Sequence, residues 1–308
     1  MKNKRKSTKE IMQMVTDIVI DGLNNEIVPW IKPWTGGDSR PYNLSSKTFY
    51  NGTNVWLLTA VQMKKGFTTN AWLTYQGAKK LGGSVRKGEK GSPVIFWKFL
   101  KKEQTLDNGD IVEETIPFLR YHSVFNVDQC DGIEVTPEDL PECDPIQDAV
   151  DVIDSYVDRE EPLTFNEVFG SRAYYSPSDD QIVVPKIEQA VKKAIEIGQT
   201  ESDGKQHHYS TCFHEMVHST GHKDRLNRDS LTGNSYFGSH EYSKEELVAE
   251  MGSAILCQSV GMTSERVMEN TTAYCKGWAK KLKDQPSWIV WAGNRAEKAV
   301  NYILEGGN

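Results

Sequence analysis

The sequence predicts an α+β protein in two parts: an N-terminal α+β domain over 1–130 and a C-terminal domain over 148–308, joined by an acidic linker at 131–147. Three observations carry this. Apolar residues at helical spacing alternate along the chain with short β-branched and aromatic runs. The 308 residues suffice for two ordinary domains. Charge divides the chain, since residues 1–130 hold 19 Lys and Arg against 12 Asp and Glu, and residues 131–308 hold 17 against 31. A basic half thus precedes an acidic one.

The first helix is expected within 1–28, where Ile11, Met14, Val15, Ile18, Val19 and Leu23 keep helical spacing. Lys2, Lys4, Arg5, Lys6 and Lys9 sit before it or on its first turn, the end that the helix dipole disfavours for cations, so they serve something outside the helix. The segment 28–34, Val-Pro-Trp-Ile-Lys-Pro-Trp, has too much proline for a helix or a central strand. Helices follow at 51–64 and 74–81, the second stopped by Gly82 and Gly83. Strands are predicted from Val85, at 94–97 and at 118–127, with a turn at 87–91 and an acidic loop around 107–110.

Residues 131–170 hold 13 acidic residues, one basic residue (Arg159) and four prolines, which places the linker here. Ile146, Val150, Ile153 and Val157 mark a helix at about 146–158. The C-terminal domain then shows a small strand pair, 173–175 and 181–184, and a helix from Lys186. Further helices are expected at 207–220 and 243–260 and on to the end, with Trp278, Trp288 and Trp291 as core anchors. No run approaches the roughly 18–20 apolar residues of a membrane span, and no apolar signal core follows the basic N-terminus, so the expectation is a cytoplasmic protein. The five cysteines are odd in number and form no Cys-x-x-Cys, which points to reduced, mostly buried thiols.

The helix at 207–220 contains His214-Glu215-Met216-Val217-His218, a His-Glu-x-x-His arrangement. Residues four apart share a helix face, so both imidazoles can reach one divalent ion. Glu215, next to the first histidine, is placed to act as general base toward water at that ion. Phe213, Met216 and Val217 give the helix the apolar sides that burial needs. Zinc suits three protein ligands with one position open, and His/Glu ligation also accepts manganese. The best third ligand is Glu246. Glu250, one turn further on, would hydrogen-bond a ligand histidine from behind. The rival is Asp224, which completes His-Glu-x-x-His-x-x-Gly-x-x-Asp, and His222 or His240 could serve in other geometries. Tyr242, His222 and Tyr236 are alternative groups to steady an oxyanion.

In the basic half, Trp30, Trp34, Tyr50, Trp56, Trp72, Trp97 and Phe125 interleave with Lys32, Arg40, Lys47, Arg86, Lys87, Lys90 and Lys98. Aromatic faces stack on unpaired bases while cations follow the phosphates, a combination that suits single-stranded nucleic acid. About half of the tryptophans are expected in the core. Trp30 and Trp34, set between prolines, are harder to bury.

These motifs together resemble those of ArdC-type antirestriction proteins, whose N-terminal domain is shared with a class of plasmid primases. The first half of the resemblance rests on 28–34, on Tyr50-Asn51-Gly52-Thr53-Asn54, on 86–91 and on 124–129. The second half rests on Ala173-Tyr174-Tyr175, on 214–228 and on Glu245-Glu246-Leu247-Val248-Ala249-Glu250. The resemblance implies a single-stranded-DNA-binding domain, with Trp30, Lys32, Trp34, Tyr50, Asn54, Arg86, Lys87 and Lys90 as its contacts, joined to a zincin-like metallopeptidase domain. It implies carriage by plasmids and other mobile elements, protection of incoming DNA from host restriction, and Glu246 as third ligand. Two alternatives stand beside it: a DNA-binding shield whose metal is structural, and a metallopeptidase whose basic domain binds protein partners.

Overall fold

The structure is a computed structural model and describes residues 6–28, 41–50, 52–105, 111–135, 144–232, 240–262 and 271–305. Trp30, Lys32 and Trp34 lie outside the described residues.

Helix α1 (Thr8–Asn24) begins at a capping box: Ser7 accepts from the Glu10 amide, and the Glu10 carboxylate accepts from the Ser7 amide at 2.7 Å. It buries Ile11, Val15, Val19 and Leu23, the stripe read from the sequence. A hairpin of β1 (Tyr42–Asn43) and β2 (Thr48–Phe49) follows, then α2 (Thr53–Lys65), β3 (Ala71–Leu73), α3 (Tyr75–Lys80) and β4 (Ser84–Val85). Next come β5 (Ser92–Thr105), β6 (Ile111–Asn126) and β7 (Cys130–Asp131). Five of these strands form one sheet in the order β2-β1-β3-β6-β5, and β4 pairs with β7. The β5–β6 ribbon pairs in unbroken register from Ser92↔Val124 to Thr105↔Ile111, well beyond the two short strands expected. Its outer part carries Lys101, Lys102, Glu103, Glu113 and Glu114, poor strand formers that the backbone ladder carries along regardless.

Helix α4 (Pro145–Arg159) starts where Asp144 accepts from the amides of Ile146 and Gln147, with Pro145 in the first turn. Strands β8 (Thr164–Val168), β9 (Tyr174–Ser176) and β10 (Gln181–Pro185) form a second sheet, ordered β8-β10-β9, with β8 parallel and β9 antiparallel to β10. The sequence reading found β9 and β10 but not β8, which lies in the acidic stretch and is mostly exposed. Among the described residues six helices follow: α5 (Ile187–Glu196), α6 (Glu201–Ser219), α7 (Asp229–Thr232), α8 (His240–Ser259), α9 (Thr271–Asp284) and α10 (Trp288–Glu305). Among the described residues no helix is long and apolar enough to cross a membrane.

One buried apolar cluster runs from Ile11 and Val15 of α1 through Trp56 of α2 to Phe213 of α6, Leu247 of α8 and Ile289 of α10. Helix α10 returns to the N-terminal half, where a Cβ on Gly293 would come within 2.8 Å of the Thr53 amide nitrogen. Gly52, at φ +54°, starts α2 at this junction, and a Cβ there would stand 3.0 Å from a Glu297 carboxylate oxygen. Trp56 and Trp72 are wholly buried, as expected for part of the tryptophan set.

Candidate metal centre

Helix α6 is held on both sides by glycine contacts. A Cβ on its Gly204 would come within 2.5 Å of Val191 of α5, and one on Gly252 of α8 within 2.8 Å of Val217 of α6. The close α6–α8 crossing brings three side chains together. His214 Nε2 and His218 Nε2 are 3.2 Å apart, and Glu246 reaches them at 3.6 and 3.5 Å. One ligand atom from each of the three lies within 4.8 Å of the others. Nitrogen and oxygen ligands about 2.0–2.2 Å from a tetrahedral ion stand roughly 3.3–3.5 Å apart. The two short Glu246 contacts use different carboxylate oxygens, and the three side chains lie close enough to converge on one divalent metal.

Behind the triangle, Glu245 accepts the Nδ1–H of His218 at 3.2 Å, which turns Nε2 toward His214 and Glu246. Arg228 donates its Nε to both Glu245 oxygens at 3.2 and 3.1 Å, and Ser230 Oγ donates to Glu245 Oε2 at 2.6 Å. The same guanidinium donates to the Val217 carbonyl and the Thr220 hydroxyl, each at 2.6 Å, so it also closes the C-terminal end of α6. Gly221 is bare where Arg228 crosses it, since a Cβ would stand 2.8 Å from Nη2.

The electrostatics follow. Burial raises the Glu245 carboxyl, but Arg228 and His218 outweigh it and hold it down to about 2. Burial also opposes the His218 imidazolium, yet Glu245 and Glu246 raise it to about 10. Glu246 is pressed below the carboxylate range because its two histidine partners overcome its burial. An incoming ion thus displaces a proton held among these groups.

Glu215 is 7% exposed and makes no hydrogen bond to any described residue. A buried carboxylate next to His214, with no hydrogen-bond partner among the described residues, can receive a proton.

Asp224 is 75% exposed on its side chain and lies against His222 Nδ1 at 3.5 Å. The carboxylate that orients a ligand histidine is Glu245, not the expected Glu250. On α8, Glu250 falls a full turn beyond Glu246 and lines a cleft with Gly277, Trp278 and Lys281. The side chains of His240 and Tyr242, and Tyr236 entire, lie outside the described residues. Sequence reasoning gave no role to Arg228, although it closes the 214–228 segment on which the resemblance rests, and did not single out Ser230.

In the N-terminal half, Tyr50 and Asn54 are buried. Asn54 Nδ2 donates to the Ile95 carbonyl at 2.8 Å, and its Oδ1 accepts from the Ile95 amide at 2.7 Å, so its amide is committed to β5. Arg86 bonds the Asp128 carbonyl and Glu89, bracing a turn that presents Lys87 and Lys90 to solvent. The ribbon contributes exposed rings that the sequence reading did not single out. Phe96 is 43% exposed and meets His122 edge-on at 5.6 Å, and Tyr121 is 37% exposed with the Lys6 ammonium 5.5 Å from its ring centre. The available signal was Tyr121-His122, adjacent rings that a strand must send to opposite faces.

A His-Glu-x-x-His helix completed by a glutamate from the next long helix, beside a small sheet, defines a zincin-like centre. Residues 158–295 match the family model for zincin-like metallopeptidases, and residues 9–125 match that for the N-terminal domain of anti-restriction factor ArdC. The chain belongs to the ArdC antirestriction family. The crystal structure of the antirestriction protein ArdC from plasmid R388, in metal-free form, is 32% identical with a TM-score of 0.70, over 96% of this chain and 97% of that one. Its Mn(II)-bound form is 33% identical with a TM-score of 0.68, over the same shares of the two chains. A DNA primase TraC of Escherichia coli is 33% identical over 312 residues, 96% of this chain but only 20% of the primase. The uncharacterized protein y4eC of Sinorhizobium fredii is 29% identical over 96% of this chain and 91% of its own length. The chain thus spans about a fifth of that primase.

Proposed function

We propose that this chain protects incoming DNA from restriction, that its N-terminal half binds single-stranded DNA, and that its metal centre hydrolyses peptide bonds. The observation that carries the hydrolytic part is the triangle of His214, His218 and Glu246 with the unpartnered carboxylate of Glu215 beside it. Zinc, or manganese, held by those three residues supplies Lewis acidity toward water and a peptide carbonyl. Glu215 takes the proton from the attacking water and delivers it to the departing amine nitrogen. Glu245, pinned by Arg228 and Ser230, keeps the His218 ring oriented with Nε2 facing the ion. The nucleic-acid part is supported by the charge excess of the first 130 residues, by exposed Lys87 and Lys90, and by the rings of Phe96 and Tyr121.

Two measurements test the reading. Glu215→Gln is expected to retain the metal and to abolish peptide cleavage, and cleavage that persists would remove Glu215 from the chemistry. If the variant still protects DNA against restriction, the metal instead acts as a structural link between α6 and α8. Binding to a labelled single-stranded oligonucleotide, beside a duplex of equal length, is expected to favour the single strand and to weaken steeply as salt rises. Absence of binding at low salt would take nucleic acid out of the account.

A further inference from the structure

We propose that the cleft between α8 and α9 seats one bulky uncharged side chain of a polypeptide substrate, and that Gly277 is bare to admit it. This rests on the peptidase reading. The cleft has a volume of about 290 Å³ and is lined by Glu246 and Glu250 of α8 and by Gly277, Trp278 and Lys281 of α9. It therefore begins at a metal ligand. The Glu246 side chain is 28% exposed while those of His214 and His218 are only 8% and 10%, so the centre opens on the side where the cleft lies.

Among the described residues no packing contact requires a glycine at 277. Glycine is the poorest helix former after proline, because it orders the most backbone and buries no side chain. Gly204, Gly252 and Gly293 answer to close packing, since a Cβ there would come within 2.5, 2.8 and 2.8 Å of a neighbour. A Cβ on Gly277 would meet nothing within 4 Å among the described residues, and the residue sits inside α9 without a positive φ. What it fronts is the cleft, and a bare backbone there lets another chain approach closely.

The walls select the occupant. Of the two carboxylates, Glu246 is turned to His214 and His218, which leaves Glu250 and Lys281 with opposite charges, and the Lys281 ammonium lies 4.9 Å from the centre of the Trp278 ring. Little net charge remains to attract an ionic side chain, while burial of apolar surface favours a large one. The volume is at the small end for ligand pockets, the size of a single residue with its peptide unit rather than a long segment.

The test uses the full metal-loaded chain with Glu215→Gln and Gly277→Cys, so that binding is read without turnover. Alkylation of the residue-277 thiol by iodoacetamide is followed by mass spectrometry with alanine-based octapeptides carrying a central Phe, Lys, Glu or Gly. The Phe peptide is expected to slow alkylation at least fivefold and the Gly peptide to leave it unchanged. No slowing by any peptide, equal slowing by all four, or strongest protection by Lys or Glu would overturn the proposal. Gly277→Leu, with Glu215 intact, is expected to lower kcat/KM for the Phe peptide at least tenfold relative to the Gly peptide without lowering Tm. A lowered Tm would make the glycine structural and overturn the proposal as well. Protection by a Phe peptide that the unmodified protein never cleaves would leave the cleft standing and remove the peptidase reading.

Discussion

At the scale of single residues, the centre depends on a carboxylate that does not touch the ion. Glu245 is 3% exposed and is held by Arg228, Ser230 and His218 at once. Glu245→Gln keeps the shape but removes the charge that both Arg228 and His218 face. Metal affinity is expected to fall about 10- to 100-fold, measured by competition with a chelator of known affinity. An unchanged affinity would mean that His218 is oriented by other groups. A second carboxylate is expected to contribute to acid stability. Asp180 accepts from Arg225 Nη1 at 3.0 Å, from Nη2 at 2.7 Å and from the Tyr175 hydroxyl at 2.7 Å. Burial presses its carboxyl up, but Arg225 and Tyr175 outweigh that and hold it below its ordinary value. A depressed folded pKa gives stability that is present above the unfolded value, about 3.9, and is lost as pH falls through the folded one. Asp180→Asn should therefore lower Tm at pH 7 and flatten the fall of Tm below about pH 4. Parallel Tm–pH curves for the two proteins would exclude Asp180 from the acid transition.

At the scale of elements, the ligand triangle is a consequence of how closely α6 and α8 cross. Gly252 sets that distance, because a Cβ there would stand 2.8 and 3.0 Å from the Val217 methyl groups. Gly252→Ala pushes the helices apart, at a cost of about 1–3 kcal/mol for overpacking. The same change moves Glu246 away from His214 and His218, so metal affinity should fall together with Tm. A drop in Tm with full metal affinity would show that the triangle tolerates the shift. The helix α6 carries a further tie at its other end. Buried His208 meets Glu167 of β8 at 2.9 Å and the Cys212 thiol at 3.5 Å, which fastens the metal helix to the edge of the second sheet. His208 thus has a structural place that the sequence did not disclose.

At the scale of the whole molecule, the charge asymmetry and the apolar core divide the chain differently. Charge separates a basic half from an acidic one, whereas the core passes from α1 through α2 to α6, α8 and α10 without a break. Thr16 of α1 also donates to the Pro286 carbonyl in the turn before α10. Calorimetry of the intact chain is expected to give one cooperative transition, because neither half can unfold without exposing apolar surface of the other. Two well-separated transitions would show that the halves are stable alone. The coupling also places α1, next to the exposed Tyr121 face of the ribbon, against α9, which lines the cleft at the metal.

What the sequence determined by itself is whatever local spacing encodes. The amphipathic stripe of α1, the helical spacing within α4 and the pair His214 and His218 are all periodic signals within one element, so they were legible before any packing was known. The likeness of the motifs to one family was legible for the same reason. Only the tertiary structure decided which carboxylate does what. Glu245, Glu246 and Glu250 lie within six residues of one another on α8, and their different surroundings come from Arg228, from the two histidines and from α9. Tyr50 and Asn54 look in sequence like the exposed residues of a binding motif, yet they are buried against β5 and the core. Burial and partner choice arise from contacts distant along the chain, which composition and periodicity do not carry.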